Sequence, residues 1–193
     1  MPPIEIVATL LGLANVALII RRSVWNYPFG VAMVVLYGKI FFDVKLYSDA
    51  LLQVFFLVVQ LAGWWGWLRR RGEDGLVRVE SSPTRDRILA VAATALLSLA
   101  LGHAMAAWTD AALPHWDAAI AAMSVTAQTL LALRRIENWL FWIATDVVAI
   151  GVYAAKGLVL TAGLYGIFLV LATLGLLQWL RHLEAGPAAE AAR

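Results

Sequence analysis

The sequence predicts an all-α membrane protein with seven transmembrane helices. Of its 193 residues, 62% are hydrophobic and 15% are charged, whereas an average globular domain is about 45–50% apolar and about 25% charged. A soluble domain of this length could not bury so much apolar surface in one core. Apolar blocks long enough to cross a bilayer, about 20 residues each, recur along the whole chain. The absence of cysteine excludes a disulfide scaffold and thiolate metal sites.

The apolar blocks are separated by charged or turn-forming residues. They run near residues 4–20, 24–42, 48–68, 88–107, 118–133, 138–155 and 158–180. The first block has no basic segment before it and no clear cleavage site after it, so we expect a retained span and not a signal peptide. Residues 184–193 are rich in Ala, Gly and Pro, which predicts a flexible tail.

The basic residues are distributed unevenly among the connecting segments. If the N-terminus lies outside, most of the 15 Lys and Arg residues fall on the inner side, in a basic loop over residues 69–87 above all. Only Lys45 and Lys156 then fall outside, and Lys39 lies within the second span. The positive-inside rule therefore predicts an N-out/C-in topology with an odd number of spans. We interpret the basic loop as cytoplasmic and expect no nucleic-acid partner.

Short matching segments indicate an internal repeat. Residues 21–26 resemble residues 134–139, and residues 63–69 resemble residues 175–181, at an offset of 112 or 113 positions. Spans one to three then match spans five to seven, and the fourth span gives both halves the same sidedness. Such parallel repeats are one plan of transporters. We expect a first three-helix repeat over 1–68, the basic loop and a linking helix over 69–117, and a second three-helix repeat over 118–183.

The third span carries polar side chains on one helix face. Gln53, Gln60 and Trp64 follow the spacing i, i+7 and i+11, which brings them to the same side of a helix. Polar side chains are costly in a bilayer and usually face a bundle interior or a cavity. They either bind a polar solute or hydrogen-bond a neighbouring helix.

The sixth span carries a carboxylate on a second such face. Trp139, Trp142, Asp146 and Tyr153 follow i, i+3, i+7 and i+14, and Asp146 lies about 12 Å along its helix, close to the midplane. An ionised carboxylate at that depth needs a cation, a water-filled cavity or a proton. A cationic substrate or a coupled proton would satisfy Asp146, and an ion pair with Lys39 is the structural alternative.

Two further segments are weaker candidates. Asn26 opens the second span, where Pro28 and Gly30 suit either a hinge that lines a site or an ordinary helix start. In the seventh span Thr161 and Tyr165 share a helix face.

Most tryptophans and all three histidines are explained without a binding site. Most tryptophans lie at predicted span ends and are typical of an aromatic belt at the membrane surface: Trp25, Trp64, Trp65, Trp67, Trp108, Trp116, Trp139 and Trp179. Trp142 lies a turn inside, where its ring could stack on a planar or cationic heterocycle. We expect the histidines to form no site, since His103 is alone in the fourth span and His115 and His182 belong to opposite faces of the membrane. The chain has no metal motif, phosphate loop or nucleophile elbow.

Several motifs in order resemble the PnuC family of vitamin transporters. The resemblance covers roughly residues 15–180 and leaves the middle loop and fourth span unmatched. The matching segments are 25–30 (WNYPFG), 46–53 (LYSDALLQ), 63–65 (GWW), 137–142 (ENWLFW), 153–158 (YAAKGL) and 161–165 (TAGLY).

The resemblance implies a 3+1+3 fold and uptake of a vitamin precursor, most often nicotinamide riboside, with thiamine and riboflavin carried by relatives. It implies facilitated diffusion, no cofactor, and a cytoplasmic vitamin kinase that traps the solute. Gln53 and Trp142 match the family's substrate site by position, whereas the nicotinamide riboside carriers of the family have Asn at the position of Asp146. The predicted binding residues are Gln53, Gln60, Trp64, Asn138, Trp142, Asp146, Tyr153 and Tyr165, with Asn26, Lys156 and Thr161 as further candidates.

Two other classes of membrane protein, an intramembrane enzyme and a receptor, are alternatives to a carrier. An intramembrane enzyme would need converging nucleophiles, bases or metal ligands, and the sequence offers one deep carboxylate. A receptor would not require Asp146 or the glutamine face. We therefore expect a carrier that works by alternating access in the bacterial cytoplasmic membrane, with thiamine as the alternative substrate. A homo-oligomer is compatible with this plan.

Overall fold

The computed structural model describes residues 3–43, 45 and 47–190, and seven α-helices account for most of them. The helices are α1 (Pro3–Ile20), α2 (Asn26–Asp43), α3 (Tyr47–Arg69), α4 (Thr84–Trp108), α5 (Pro114–Ala132), α6 (Asn138–Ala155) and α7 (Val159–Glu190). Each predicted apolar block overlaps one helix, so the all-α prediction is confirmed. Leu46 and the side chains of residues 47–49, which belong to one family motif, lie outside the described residues.

Four helices of the described part are long and apolar enough to cross a membrane. They are Ala50–Arg69, Thr84–Trp108, Asn138–Ala155 and Val159–Glu184. The apolar part of α1, Ile6–Ile20, is shorter. α2 and α5 contain more polar residues, such as Lys39 in α2 and Asp117 in α5, which lower their hydropathy.

The C-terminal segment, predicted as a flexible tail, is helical over most of its length. α7 continues as a helix to Glu190, and residues 191–193 lie outside the described part. The segment is rich in alanine, which has the highest helix propensity of all residues. The alanines of this segment therefore favour a helix, whereas Gly186 and Pro187 oppose it.

The chain divides into two compact units. The first unit contains Met1–Val79 and Leu131–Arg134, and in it α2 packs against both α1 and α3. The second unit contains Glu80–Leu130 and Arg135–Arg193, and in it α6 packs against α7. The loop after α3 is tied to the first unit, since the backbone N–H of Val77 donates to the carbonyl of Arg22 at 3.1 Å.

The turns before α2 and α6 have the same geometry at matching positions in the chain. Arg22 and Arg134 both have positive φ, of 58° and 63°. The Asn26 side chain donates to the carbonyl of Ser23 at 2.7 Å, and the Asn138 side chain donates to the carbonyl of Arg135 at 2.6 Å. Of the two offsets that the sequence left open, the structure therefore selects the one that pairs Arg22 with Arg134.

Large aromatic side chains form the core below each of these turns. The rings of Tyr27 and Trp67 meet edge to face at 5.3 Å, and those of Trp139 and Trp179 do so at 5.5 Å. Trp67 and Trp179 are fully buried and Trp139 is 2% exposed. The prediction that these three tryptophans belong to an aromatic belt is therefore wrong, because close helix packing encloses their rings.

Four other tryptophans are exposed at or near helix ends, as an aromatic belt requires. They are Trp25, Trp65, Trp108 and Trp116.

The start of α2 is an ordinary helix start. α2 begins at Asn26 and continues without interruption past Pro28 and Gly30 to Asp43. Proline is tolerated in the first turn of a helix, where its missing N–H has no intrahelical partner to lose. α2 therefore contains no unwound segment, and a hinge at this position stays a prediction.

The turns after α2 and α6 also match, and they give a stability prediction. Lys45 has φ of 63°, and Gly157, at the position that matches it under the same offset, has φ of 75°. A Cβ on Gly157 would meet no atom within 4 Å, so only backbone strain opposes a side chain there. We expect Gly157→Ala to lower the free energy of unfolding by about 1 kcal/mol, and Lys45→Gly to raise it slightly. Unfolding by denaturing detergent in mixed micelles measures both, and an unchanged Gly157→Ala variant would contradict the strain argument.

Candidate functional site

A group of buried amide side chains surrounds Gly30 in the first unit. Gln60 of α3 is 5% exposed and Asn15 of α1 is 8% exposed. A Cβ on Gly30 would overlap the Gln60 side-chain oxygen and lie 2.7 Å from Asn15 Nδ2. Asn15 Nδ2 donates to the carbonyl of Asn26 at 2.7 Å. The missing side chain of Gly30 thus makes room for amides from two other helices.

The other two polar residues predicted on α3 lie on the same side of the helix. A Cβ on Gly38 of α2 would be 3.4 Å from Gln53 Cβ. Trp64 stacks on Tyr27 of α2, with ring centroids 6.4 Å apart and planes 7° apart. Gln53, Gln60 and Trp64 therefore all lie where α3 packs against α2.

Asp146 is a buried carboxylate near the middle of α6. It is 4% exposed, and no described side chain of the second unit hydrogen-bonds to it. The neighbouring hydroxyl of Thr145 is satisfied within the helix by the carbonyl of Phe141 at 2.8 Å. Lys39, the alternative partner weighed for Asp146, instead donates to Asp43 Oδ2 at 2.6 Å. This bond engages Lys39 within its own helix.

Asn138 and Trp142 occupy the first two turns of α6. Asn138 is fully buried, and while its Nδ2 is used at the helix start, its Oδ1 has no hydrogen-bond partner among the described residues. Asn26 makes the corresponding bond at the start of α2, so each asparagine fixes the start of its own helix. Trp142 is half-buried and lies one turn before Asp146.

The remaining predicted residues lie towards the other end of α6. The rings of Tyr153 and Tyr165 stack with centroids 5.2 Å apart. Lys156 Nζ donates to both carboxylate oxygens of Asp117, at 2.7 and 2.8 Å, and lies 6.0 Å from the Tyr153 ring centroid. Thr161 is half-buried in the first turn of α7. Tyr153, Tyr165 and Lys156 thus form one aromatic and charged group.

The sequence reasoning did not select two buried amides. Asn15 in α1 and Gln128 in α5 are each 8% exposed. Both are polar residues inside predicted apolar blocks, which is the signal that selected Gln60. That signal could therefore have found them.

A carboxylate just before α6 was also missed as a structural residue. Glu137 accepts hydrogen bonds from the Ser82 backbone at 2.9 Å, the Ser82 hydroxyl at 2.9 Å and Arg87 Nε at 2.8 Å. Burial acts to raise the pKa of Glu137, but the bonds from its own backbone, Ser82 and Ser81 outweigh it, so the pKa lies below its usual value. Its partners are distant along the chain, and no local pattern indicates them.

Two histidines lie closer together than the sequence suggests. The rings of His103 in α4 and His115 in α5 have centroids 5.4 Å apart, a contact that their separate spans do not indicate. No group of three or more His, Cys, Asp or Glu residues in the described ranges could hold a metal ion.

The chain is similar to known membrane transporters along nearly its whole length. A family model described as nicotinamide mononucleotide transporter matches residues 2–181. The nicotinamide riboside transporter PnuC of Escherichia coli is 29% identical over 202 residues, which cover 92% of this chain and 84% of the relative. The riboflavin/roseoflavin transporter RibM of Streptomyces davaonensis is also 29% identical, over 179 residues that cover 91% of this chain and 83% of the relative.

A solved structure has the same fold. The crystal structure of the vitamin B3 transporter PnuC matches with a TM-score of 0.76 and 26% sequence identity. The match covers 92% of this chain and 80% of that chain. The helices and the sequence therefore point to the same relatives.

Proposed function

Because the chain belongs to the nicotinamide mononucleotide transporter family, we propose that it carries nicotinamide riboside, a precursor of NAD, across the membrane by facilitated diffusion. The predicted membership of the PnuC family is confirmed, and the chain is a multi-pass membrane transporter. The choice of substrate rests on Asp146.

The buried carboxylate of Asp146 favours a cationic substrate. A carboxylate that is 4% exposed, with no hydrogen bond from its own unit, is costly unless a positive charge or a proton satisfies it. The pyridinium ring of nicotinamide riboside carries a permanent positive charge, whereas the ring system of riboflavin is uncharged. The chain is 29% identical both to the nicotinamide riboside transporter and to the riboflavin transporter, so sequence identity does not decide between the two substrates. The positive charge of nicotinamide riboside does.

The other proposed binding residues suit the rest of such a molecule. Trp142, one turn from Asp146, has a ring on which a planar cation can stack. The stacked Tyr153 and Tyr165 add aromatic surface and hydroxyl groups. The amides of Gln53 and Gln60 can bond to ribose hydroxyls or to a carboxamide. The proposed binding residues thus offer each type of group that a nicotinamide nucleoside requires.

We also propose how the chain is oriented in the membrane and how the solute is retained in the cell. We propose the 3+1+3 arrangement with an N-out/C-in orientation in the bacterial cytoplasmic membrane, in line with the basic loop 69–87. Transport would proceed by alternating access, and a cytoplasmic kinase would phosphorylate the solute after entry. A phosphate adds negative charge that the Asp146 carboxylate repels, which would prevent exit. A homo-oligomer is compatible with each of these steps.

The test is Asp146→Asn in the full chain. We expect the affinity for nicotinamide riboside to fall about tenfold, the factor that corresponds to about 1.4 kcal/mol, because the amide cannot neutralise a cation. Titration calorimetry of the purified protein with nicotinamide riboside, thiamine and riboflavin measures this directly. The control is Asp43→Asn, since Asp43 is exposed and pairs with Lys39 at the surface.

Other results of the titration would contradict or change the proposed substrate. Unchanged affinity in a folded Asp146→Asn protein would contradict the role of Asp146 as the partner of a cation. Binding of thiamine alone would reassign the substrate to the alternative cation, because its thiazolium ring is also positively charged. Binding of riboflavin alone would overturn the argument from charge.

A further inference from the structure

A cavity of about 480 Å³ lies inside the second unit, between α4, α5 and α6. None of the residues proposed for substrate binding lines it. Val91 lines the cavity and is 60% exposed, so the cavity opens onto the surface of the unit. We refer to it as the α4 groove.

The wall formed by α4 consists mainly of small side chains. Ala90, Thr94, Ala95 and Ser98 lie on one face of the helix together with Val91. The hydroxyl of Thr94 is already bonded to the Ala90 carbonyl at 2.7 Å and to Thr126 at 2.6 Å. This wall therefore offers space and few free polar groups.

The facing wall is apolar. α5 contributes Ala119 and Met123, and α6 contributes Leu140, Phe141 and Ala144. Such a wall excludes a polar solute, because burying a polar group without a partner is unfavourable. An alkyl chain, in contrast, has no polar group to satisfy and can make van der Waals contacts along the whole wall.

One end of the α4 groove is polar. Ser82, Arg87 and Glu137 line that end. Arg87 donates through Nε to Glu137 at 2.8 Å and through Nη2 to the Ser81 hydroxyl at 2.5 Å, and its side chain is 50% exposed. A guanidinium has five N–H donors, so Arg87 keeps donors for an anionic group at the mouth of the groove. Glu137 is 8% exposed, so an incoming group reaches the guanidinium before the carboxylate.

The length of the α4 groove matches one leaflet of a bilayer. α4 is one of the helices that can cross a membrane. From Arg87 to Ser98 the helix rises about 16 Å at about 1.5 Å per residue, and the hydrocarbon core is about 30 Å thick. The groove therefore runs from the polar end of the helix to about the middle of the hydrocarbon core.

We propose that the α4 groove binds a phospholipid, with one acyl chain between α4, α5 and α6 and the phosphate on Arg87. The apolar walls fit the chain, the length fits one leaflet, and the guanidinium fits the phosphate, which accepts charge-assisted hydrogen bonds. None of the proposed substrate-binding residues lines the groove. Lipid binding and substrate binding can therefore be tested independently.

The test is native mass spectrometry of the full chain in detergent, with phosphatidylglycerol added. We expect wild type to retain one phospholipid. Ala95→Leu fills the groove and is expected to lower the retained fraction about fivefold, a factor that corresponds to about 1 kcal/mol. Ala93→Leu is the matched control, because Ala93 is exposed on the same helix and does not line the groove. Arg87→Gln is expected to weaken retention without filling the groove.

Two results would overturn the proposal. The first is equal lipid retention in wild type and in Ala95→Leu. The second is a loss of oligomers in Ala95→Leu without a loss of lipid, which would mean that a second copy of the chain covers the groove.

Discussion

Glu137→Ala is expected to lower the free energy of unfolding by about 3 kcal/mol. Glu137 accepts hydrogen bonds from the backbone and hydroxyl of Ser82, the hydroxyl of Ser81 and Nε of Arg87. Removal of the carboxylate leaves the buried Ser82 donors without a partner. Because Arg87 is half exposed, water can solvate its charge, so the loss stays at the lower end of the range for buried ion pairs. Unfolding by denaturing detergent in mixed micelles measures the change.

The pH dependence of stability separates the effect of the Glu137 charge from the effect of the shape of its side chain. The pKa of Glu137 in the folded protein lies below its ordinary value of 4.5. The stabilisation is therefore fully present above that pH and is lost as the pH falls through the lower, folded-state value. Glu137→Gln keeps the shape but does not titrate, and is expected to remove this part of the acid dependence. An identical pH profile in Glu137→Gln and wild type would contradict the assignment.

Gly175→Ala is expected to lower the free energy of unfolding by about 2 kcal/mol. A Cβ at this position would lie 2.5 Å from two carbon atoms of the Trp139 ring. The ring cannot move away easily, because Trp139 is 2% exposed and meets Trp179 edge to face. The helices must therefore separate or the ring must leave its position.

The matched control for Gly175→Ala is Gly166→Ala in the same helix. A Cβ on Gly166 would meet no atom within 4 Å, so the higher helix propensity of alanine should stabilise this variant by about 0.5–1 kcal/mol. Gly63→Ala and Gly66→Ala repeat the comparison in the first unit, since a Cβ on Gly63 would lie 2.6 Å from the Tyr27 hydroxyl and one on Gly66 would meet nothing. Equal stability of Gly175→Ala and Gly166→Ala would show that the Trp139 ring can be displaced freely.

The sequence predicted the helices well because membrane spans are defined locally. Length and hydropathy are properties of consecutive residues, and each predicted block falls on one helix. The burial of Trp67, Trp139 and Trp179 could not be predicted in the same way. A tryptophan near a helix end is equally compatible with the membrane surface and with a core, and only the neighbouring helices decide between them.

The candidate site was predicted in part. Helical spacing correctly grouped Gln53, Gln60 and Trp64 on one side of α3, because the period of the helix alone determines that grouping. Gly30 emerged as part of the amide group only from the structure, since a glycine has no side chain to signal a contact. Glu137 was missed for another reason: its partners are distant along the chain.

The matching turns of the two units have a consequence for the evolution of specificity. The turn positions that match under the offset pairing Arg22 with Arg134 have the same geometry. Matching positions within the helices carry different side chains: Gly30 corresponds to Trp142, Val34 to Asp146 and Gln60 to Ala172. A homodimer of one short ancestral gene would have to present every such residue twice. In a single chain that carries both matching segments, one can hold an acid such as Asp146 and the other an amide such as Gln60, without a copy of either at the matching position.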